Sequence, residues 1–322
     1  MTLPPEFALI ARHFRPLAGP GALDLTDDAA LLSPPAGREL VLAADAMVAG
    51  VHFLPDDPAE TIGRKLLRTN LSDLAAMGAV PLAYLLTASL PRGLPPEWLA
   101  DFSAGLAHDQ AEFGIGLLGG DTTSTPGPIS LSLTILGHVA PGQALRRNGA
   151  APGQDIWVSG TVGDGTLGLA VLLGEVPGDP EGYLAGRYRL PRPRVALGQG
   201  LAGLATAAMD VSDGLVQDLG HLCRAAGCGA KLEAAAVPLS GPAAALLKDR
   251  PGLLPRILTG GDDYELLFAA RPEAAPDILA RAAAAEVAAT RIGRFVAGKP
   301  VVTVQDASGA AMTLERGGWS HF

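Results

Sequence analysis

The sequence predicts an α/β (α+β) protein of two domains. Three observations carry this. The chain has 322 residues, enough for two domains of ordinary size. Apolar strand patterns alternate with amphipathic helical patterns in both halves. Aspartates flanked by Gly, Ser or Thr stand where strands give way to loops or helices, as in Gly119-Gly120-Asp121 and Gly260-Gly261-Asp262.

Composition narrows the function classes. At 48% hydrophobic and 18% charged the chain can fill sizeable cores, and with 5% aromatics Leu, Val and Ala must supply the packing. A net charge of −9 argues against a general nucleic-acid surface, which needs clustered Lys and Arg. It leaves room for a phosphate ligand bridged by metal. Cys223 and Cys228 are spaced neither as Cys-x-x-Cys nor as a zinc array, so they read as buried or idle thiols in a reducing cytosol. Pro4, Pro5 and Glu6 stand where a signal peptide needs an apolar run, and no stretch is long and apolar enough to span a bilayer. The expectation is a cytoplasmic protein with no membrane partner.

In chain order, Phe7–Phe14 reads as a short amphipathic packing helix. After the loop at Gly19-Pro20-Gly21, the paired carboxylates Asp27 and Asp28 precede an apolar run ending in Leu31-Leu32, expected to be a strand. Glu39 to Asp45 reads as a strand ending on a carboxylate, and Gly50-Val51-His52-Phe53 as a loop. From Thr61 to Ala79, apolar residues at Ile62, Leu66, Leu67, Leu71 and Leu74 predict one amphipathic helix. Ala75, Ala76, Gly78 and Ala79 would let another backbone pack closely. Asp73 interrupts this surface, and a buried carboxylate is costly unless paired or metal-bound. Taken alone it reads as a helix N-cap or a surface Asp; the motifs it keeps company with along the chain favour a functional group. Leu82–Leu90 is a long apolar strand, Pro95–Phe113 a helix opened by two prolines, Ile115–Thr123 a strand through Gly-Gly-Asp, and Ile129–His138 a cleanly alternating strand.

Gly142–Gly153, turn-rich and carrying Arg146 and Arg147, is the expected junction, giving domains 1–141 and 142–322. Asp155–Gly160 opens the second half as a strand. Gly163-Asp164-Gly165 leads into a helix at Thr166–Leu173, Pro177–Pro193 is loop-rich, and Val195–Leu204 is helical. Ala208–Cys223 reads as a strand end, the carboxylates Asp210 and Asp213, then a helix with Ser212 as its N-cap. Gly260-Gly261-Asp262-Asp263 runs into another apolar strand, and Ala274–Ala289 is a surface helix. The chain ends in Gly317-Gly318-Trp319-Ser320-His321-Phe322, an aromatic tail suited to docking.

Asp28, Asp45, Asp73, Asp121, Asp210 and Asp213 each end a strand or start a helix in this reading. Strand ends of α/β sheets converge on ligand clefts, and converging carboxylates need a cation. Oxygen donors with few nitrogens or thiols select Mg²⁺, which usually works with phosphate oxygens. That points to phosphoryl transfer. There is no Gly-x-Gly-x-x-Gly after the first strand and no Gly-x-x-x-x-Gly-Lys-Ser/Thr, so neither a Rossmann site nor a P-loop supplies the nucleotide contact.

Seven motifs occur in a fixed order. They are Asp27-Asp28-Ala-Ala, Asp45 with Gly50-Val-His52-Phe, Asn70-Leu-Ser-Asp73-Leu-Ala-Ala-Met-Gly-Ala, Gly119-Gly-Asp121-Thr-Thr, Asp210-Val-Ser-Asp213-Gly-Leu, Gly260-Gly-Asp262-Asp-Tyr-Glu-Leu and Gly318-Trp319-Ser-His-Phe. From end to end the chain resembles the thiamine-monophosphate kinases. The resemblance implies the fold of aminoimidazole ribonucleotide synthetase and selenophosphate synthetase, in which N-terminal sheets pair across a homodimer and ATP binds between the domains. It implies that Asp28, Ala43, Ala44, Asp45, Asp73, Asp121, Asp210 and Asp213 hold several Mg²⁺ ions, with Asp73, Asp121 and Asp213 at the chemistry. It further implies that Gly120, Asp121, Arg147 and Ser212 contact ATP, and that His52, Asp262 and Trp319 contact thiamine monophosphate.

The implied reaction moves the γ-phosphoryl of ATP in line onto the substrate's phosphate, giving thiamine diphosphate. An ionised phosphate needs no general base, and the motifs offer no obvious one. Two positions depart from the family pattern. Ala43-Ala44 stand where Ser or Thr usually precede Asp45, leaving backbone carbonyls as donors, and Asp262 replaces a Glu one methylene longer. Two rival readings are another ATP-dependent enzyme of the same superfamily and a non-catalytic, metal-dependent nucleotide-binding protein. Trp319 itself reads either as a platform for a flat cationic substrate or as an apolar plug.

Overall fold

The computed structural model describes residues 5–177, 179 and 181–320. His321 and Phe322, part of the expected docking tail, lie outside them. Packing divides the chain into two units. One holds the residues up to Leu74 with Ala79–Gly142; the other holds Ala75–Gly78 and everything from Gln143.

The first unit contains α1 (Pro5–Leu9), β1 (Glu39–Val48), α2 (Ala59–Ala76, entering the second unit after Leu74), β2 (Val80–Pro91), α3 (Pro96–Phe113), β3 (Gly116–Thr125) and β4 (Ser130–Val139). Its sheet has the order β1-β4-β2-β3, with β2 and β3 parallel and the other pairs antiparallel. Alternation along β4 buries Leu131, Leu133 and Ile135 on one face. α2 meets that face at Gly137, where an added Cβ would come within 3.0 Å of a Leu74 methyl. α3 meets it where Gln110 Nε2 donates to the Tyr84 hydroxyl at 2.9 Å. The apolar stripe predicted for α2 is fully buried, from Ile62 to Leu74. Arg68 and Asp109, both buried, join α2 to α3 through Nε and Nη2 at 2.6 and 2.9 Å. The opposite face of the sheet keeps large apolar side chains exposed: Leu40 40%, Leu42 61%, Val80 40% and Leu85 40%.

The second unit contains β5 (Asp155–Ser159), α4 (Asp164–Leu172), α5 (Tyr183–Arg189), α6 (Val195–Gly200), β6 (Ala205–Asp210), α7 (Leu215–Ala226), β7 (Gly229–Glu233), α8 (Gly241–Asp249), α9 (Leu254–Thr259), β8 (Leu266–Ala270), α10 (Ala275–Ala284), β9 (Ala289–Val296) and β10 (Val302–Gln305). The sheet runs β10-β7-β9-β5-β8-β6. Both faces are covered, so β5 and β8 are buried at every residue. Ile156, Val158 and Met209 pack with Leu215, Leu219 and Leu222 of α7. Trp157, Ala208 and Phe268 pack with Leu197 of α6 and Ile278 of α10. The small residues closing α2 do admit another backbone: a Cβ on Gly198 of α6 would stand 2.0 Å from the Ala75 carbonyl oxygen.

Several expectations are corrected. Residues 29–32 form no strand; the segment is held by one backbone bond, Leu31 N–H to the Gly21 carbonyl at 2.9 Å, and Leu31 is 71% exposed. Asp45 and Asp121 do not end strands, because β1 stays paired with β4 as far as Val48 and β3 with β2 as far as Thr125. The loop expected over Pro177–Pro193 contains α5. Asp179 starts it, its carboxylate accepting from Tyr183 N–H and Ala185 N–H, each at 3.0 Å. The helix expected over Val195–Leu204 closes at Gly200.

Candidate active site

In the first unit, Asn70 organises the expected carboxylates. It is fully buried; its Nδ2 donates to the Leu66 carbonyl at 2.9 Å and its Oδ1 accepts from the Asp45 N–H at 3.2 Å. This ties β1 to α2 at the level of Asp45. Asp73 follows Asn70 by three residues, on the same helix face, and is half-buried. Ala43 and Ala44 immediately precede Asp45, half-buried and exposed respectively. His52 follows on the chain beyond β1. Its Nδ1 accepts from Val48 N–H at 3.0 Å, so a neutral ring carries its proton on Nε2. Its carbonyl accepts from Lys65 Nζ at 2.9 Å, and Lys65 is 2% exposed.

Asp28 lies in an exposed bend. Asp121 sits on β3 opposite Thr87, and the glycine before it is obligatory, since a Cβ at Gly120 would fall 1.7 Å from the Leu86 carbonyl oxygen. The register runs Asp45–Leu133–Leu86–Gly120 across the sheet. β1 and β3 are its two edges, so Asp45 and Asp121 stand about 14 Å apart at ~4.8 Å per strand. The sheet brings Asp45 to α2 and keeps Asp121 at the far edge.

The second unit gathers its site residues more closely. β6 ends at Asp210, which is 5% exposed. The chain then runs beside the Gly-Gly-Asp-Asp loop. Val211 N–H donates to Glu265 at 2.8 Å, Tyr264 N–H to Val211 at 2.8 Å and Asp262 N–H to Ser212 at 2.9 Å, all at carbonyls. Asp262 and Tyr264 hold left-handed backbones, φ 70° and 51°, a conformation that non-glycine residues keep only where neighbours enforce it. The Gly261 position admits no side chain, with Ser212 O 2.2 Å from where its Cβ would be.

Ser212 is not the N-cap of α7. Gly214 occupies that position, and the capping carboxylate comes from inside the helix. Asp218 Oδ2 accepts from both Asp213 N–H and Gly214 N–H at 3.1 Å. Asp218 is 1% exposed, and burial with the charges of Asp210 and Asp213 pushes it up to about 8. Asp210 and Asp213 thus stand at the turn that Asp218 caps, and an oxygen-only donor set of this kind fits Mg²⁺.

Asp263 lies beside Asp262 in sequence but does different work. Fully buried, it accepts from Gly163 N–H at 2.7 Å and Gly165 N–H at 3.0 Å, capping α4 from across the fold. Burial pushes its carboxyl up to about 8. Glu265 accepts from Ser159 Oγ at 2.6 Å, Arg194 Nε at 2.6 Å and Arg187 Nη2 at 3.0 Å. Sequence reasoning missed Asp218, although it stands one turn beyond Asp213 in the same motif. It also missed the division of labour between Asp262 and Asp263, which adjacency in sequence does not signal.

The tail returns to this loop. Trp319 N–H donates to the Asp213 carbonyl at 2.9 Å, and Gln217 Nε2 donates to the Trp319 carbonyl at 2.5 Å. Arg147 is exposed, on a segment laid against β6 by Ala208 N–H donating to the Arg146 carbonyl at 3.0 Å. Elsewhere in the first unit, His108, Asp109 and Glu112 bring ligand-type atoms within 4.8 Å of one another. Arg64 and Arg68 already occupy the Asp109 carboxylate, at 3.0 and 2.6 Å.

Comparison with known proteins then decides the family. Residues 26–139 match the AIR synthase related protein N-terminal domain and residues 151–305 the corresponding C-terminal domain. Over 323 aligned residues the chain is 46% identical to the thiamine-monophosphate kinase of Caulobacter vibrioides, covering 99% of this chain and 91% of that one. The chain belongs to the thiamine-monophosphate kinase family. The crystal structure of the family member from Stenotrophomonas maltophilia K279a superposes with a TM-score of 0.84 at 41% identity, covering 96% of this chain and 98% of that one. The AaThiL complex with AMPPCP and TMP superposes with a TM-score of 0.79 at 30% identity, covering 92% and 91%. Both of the chain's sheets thus belong to a fold shared along nearly its whole length with kinases of this family. Among the described residues no helix is long and apolar enough to cross a membrane.

Proposed function

We propose that this chain catalyses transfer of the γ-phosphoryl group of ATP to the phosphate of thiamine monophosphate. A bond forms between a phosphate oxygen of the acceptor and the γ-phosphorus. The bond from that phosphorus to the β–γ bridging oxygen breaks, and ADP leaves with the electron pair. The acceptor oxygen is already ionised, so no side chain has to remove a proton. The single observation that carries the reading is the seating of Trp319 on Asp213, which ties the aromatic tail motif to the Asp210–Asp213 motif. The AaThiL relative bound to AMPPCP and TMP supports the same pair of substrates.

In this reading Asp28, Asp45, Asp73, Asp121, Asp210 and Asp213, with backbone carbonyls at Ala43 and Ala44, would hold Mg²⁺. The metal's chemistry is to neutralise and align phosphate oxygens. Asp73, Asp121 and Asp213 stand at the chemistry. Gly120, Asp121, Arg147 and Ser212 would bind ATP. His52, through an Nε2 donor, would bind the acceptor with Asp262 and Trp319. The enzyme is expected in the cytoplasm, as a homodimer through the first unit, with no nucleic-acid or membrane partner.

A coupled ADP assay with Mg²⁺ tests this, offering thiamine monophosphate and thiamine as alternative acceptors. Turnover of the monophosphate alone is the expected outcome. Equal turnover of thiamine would overturn the mechanism, because a neutral hydroxyl acceptor wants a base. Binding of AMPPCP without any ADP formation would favour a non-catalytic nucleotide-binding protein.

A further inference from the structure

α7 carries a His–Arg pair that the family motifs do not include. His221 Nδ1 and Arg224 Nη2 lie 3.0 Å apart. The Arg224 side chain doubles back along its own helix toward the Asp213 end, and Gly220 gives it room: a Cβ there would be 3.2 Å from Arg224 Nη1. Arg147 stands on the segment that lies along β6, and its charge acts on the same imidazole. The charges of Arg224 and Arg147, with burial, hold His221 below its ordinary range, against the opposing pull of Asp213. The imidazole is therefore neutral near pH 7. With Arg224 donating to Nδ1, its proton sits on Nε2 as a further donor.

Neither Arg147 nor Arg224 is ion-paired to a carboxylate among the described residues. In a chain of net charge −9, two exposed guanidinium groups acting on one imidazole, neither held by a carboxylate, leave donors available to an anion. Guanidinium groups are also the side chains best matched to phosphate oxygens.

We infer that Arg224 and His221 extend the nucleotide contact that begins at Arg147, so that the polyphosphate of ATP is held by three side chains of the second unit. This rests on the reading of ATP as the phosphoryl donor and of Arg147 as its contact. Arg224 gives the guanidinium, and His221 gives the Nε2 donor and fixes the guanidinium's position.

The test is Arg224→Gln, which keeps the aliphatic stem, with Arg224→Lys as the charge-preserving control. AMPPCP binding is measured by calorimetry in the presence of Mg²⁺, and KM is measured for both substrates. Arg224→Gln is expected to weaken AMPPCP and raise the KM for ATP about tenfold, the loss of one charge-assisted contact, with the KM for thiamine monophosphate unmoved. Arg224→Lys should recover most of the affinity. Unchanged AMPPCP affinity in Arg224→Gln overturns the inference, and so does an equal rise in both KM values, which marks a structural role. Failure of the underlying reading looks different: the unaltered protein would make no ADP with thiamine monophosphate, or Arg147→Ala would leave AMPPCP binding intact.

Discussion

Trp319 hangs from Asp213 by its backbone, its N–H on the Asp213 carbonyl at 2.9 Å, while the residue remains 53% exposed. An indole sealing a core would be buried, so the structure disfavours the plug. Trp319→Ala keeps the backbone bond and removes only the ring. The KM for thiamine monophosphate is expected to rise a few-fold to about thirty-fold, the worth of a cation on an indole face. The KM for ATP and the melting temperature should hardly move. A lowered melting temperature with an unchanged KM for thiamine monophosphate would remove Trp319 from the site.

Asp73→Asn retains shape and removes charge from a half-buried position one turn beyond the Asn70–Asp45 tie. Turnover at ordinary Mg²⁺ should fall on the order of 100-fold or more, with partial recovery at raised Mg²⁺. The melting temperature should stay within ~2 °C. Turnover near that of the unaltered protein would make Asp73 structural.

Asp263 predicts both a mutational and a pH effect. Its two oxygens accept from two N–H groups; an amide can accept from only one and turns its own donors on the other. Asp263→Asn should cost about 1–3 kcal/mol of stability, read as a lowered urea midpoint. Asp263 and Asp218 are each raised to about 8 in the folded chain, against about 4 unfolded. Between those values the folded chain holds protons that the unfolded chain releases. Stability from these groups is present in full below about pH 4, falls as pH rises, and levels above about pH 8. Urea midpoints measured in EDTA from pH 5 to pH 8 should decline, and less steeply in Asp263→Asn. An equal slope in the variant would rule out Asp263 as a source.

The exposed apolar face of the first unit's sheet is expected to be the homodimer contact. Leu42, 61% exposed and flanked on that face by Leu40, is the sensitive position. Sedimentation at micromolar concentration should give a dimer, and Leu42→Glu should shift it to monomer, since a buried unpaired charge is costly. A monomeric unaltered protein under the same conditions would contradict the pairing.

Much of this protein was legible in its sequence because it is written in local periods. Strand alternation at Ile129–His138 and the helical stripe through Ile62, Leu66, Leu67, Leu71 and Leu74 are properties of consecutive residues, and the structure buries them as the pattern implies. The motif series likewise told the family, because order and residue type survive without coordinates. Local patterns failed where a distant or later group overrides them. α5 hides among prolines because Asp179 supplies its first-turn acceptors. Ser212 does not cap α7 because Asp218, inside the helix, takes the loop's N–H groups.

Only the tertiary structure decided how the carboxylates are grouped. In sequence Asp45 and Asp121 look alike, each carried on an apolar strand. The strand order puts them on opposite edges of one sheet, and that order depends on pairings between residues far apart in the chain. Asp262 and Asp263 are neighbours with the same side chain. A left-handed backbone at Asp262 leaves one half-buried beside Ser212 and turns the other into the interior to cap α4. Sequence alone determined that these groups are present; strand pairing and backbone conformation determined which of them lie near one another in each unit.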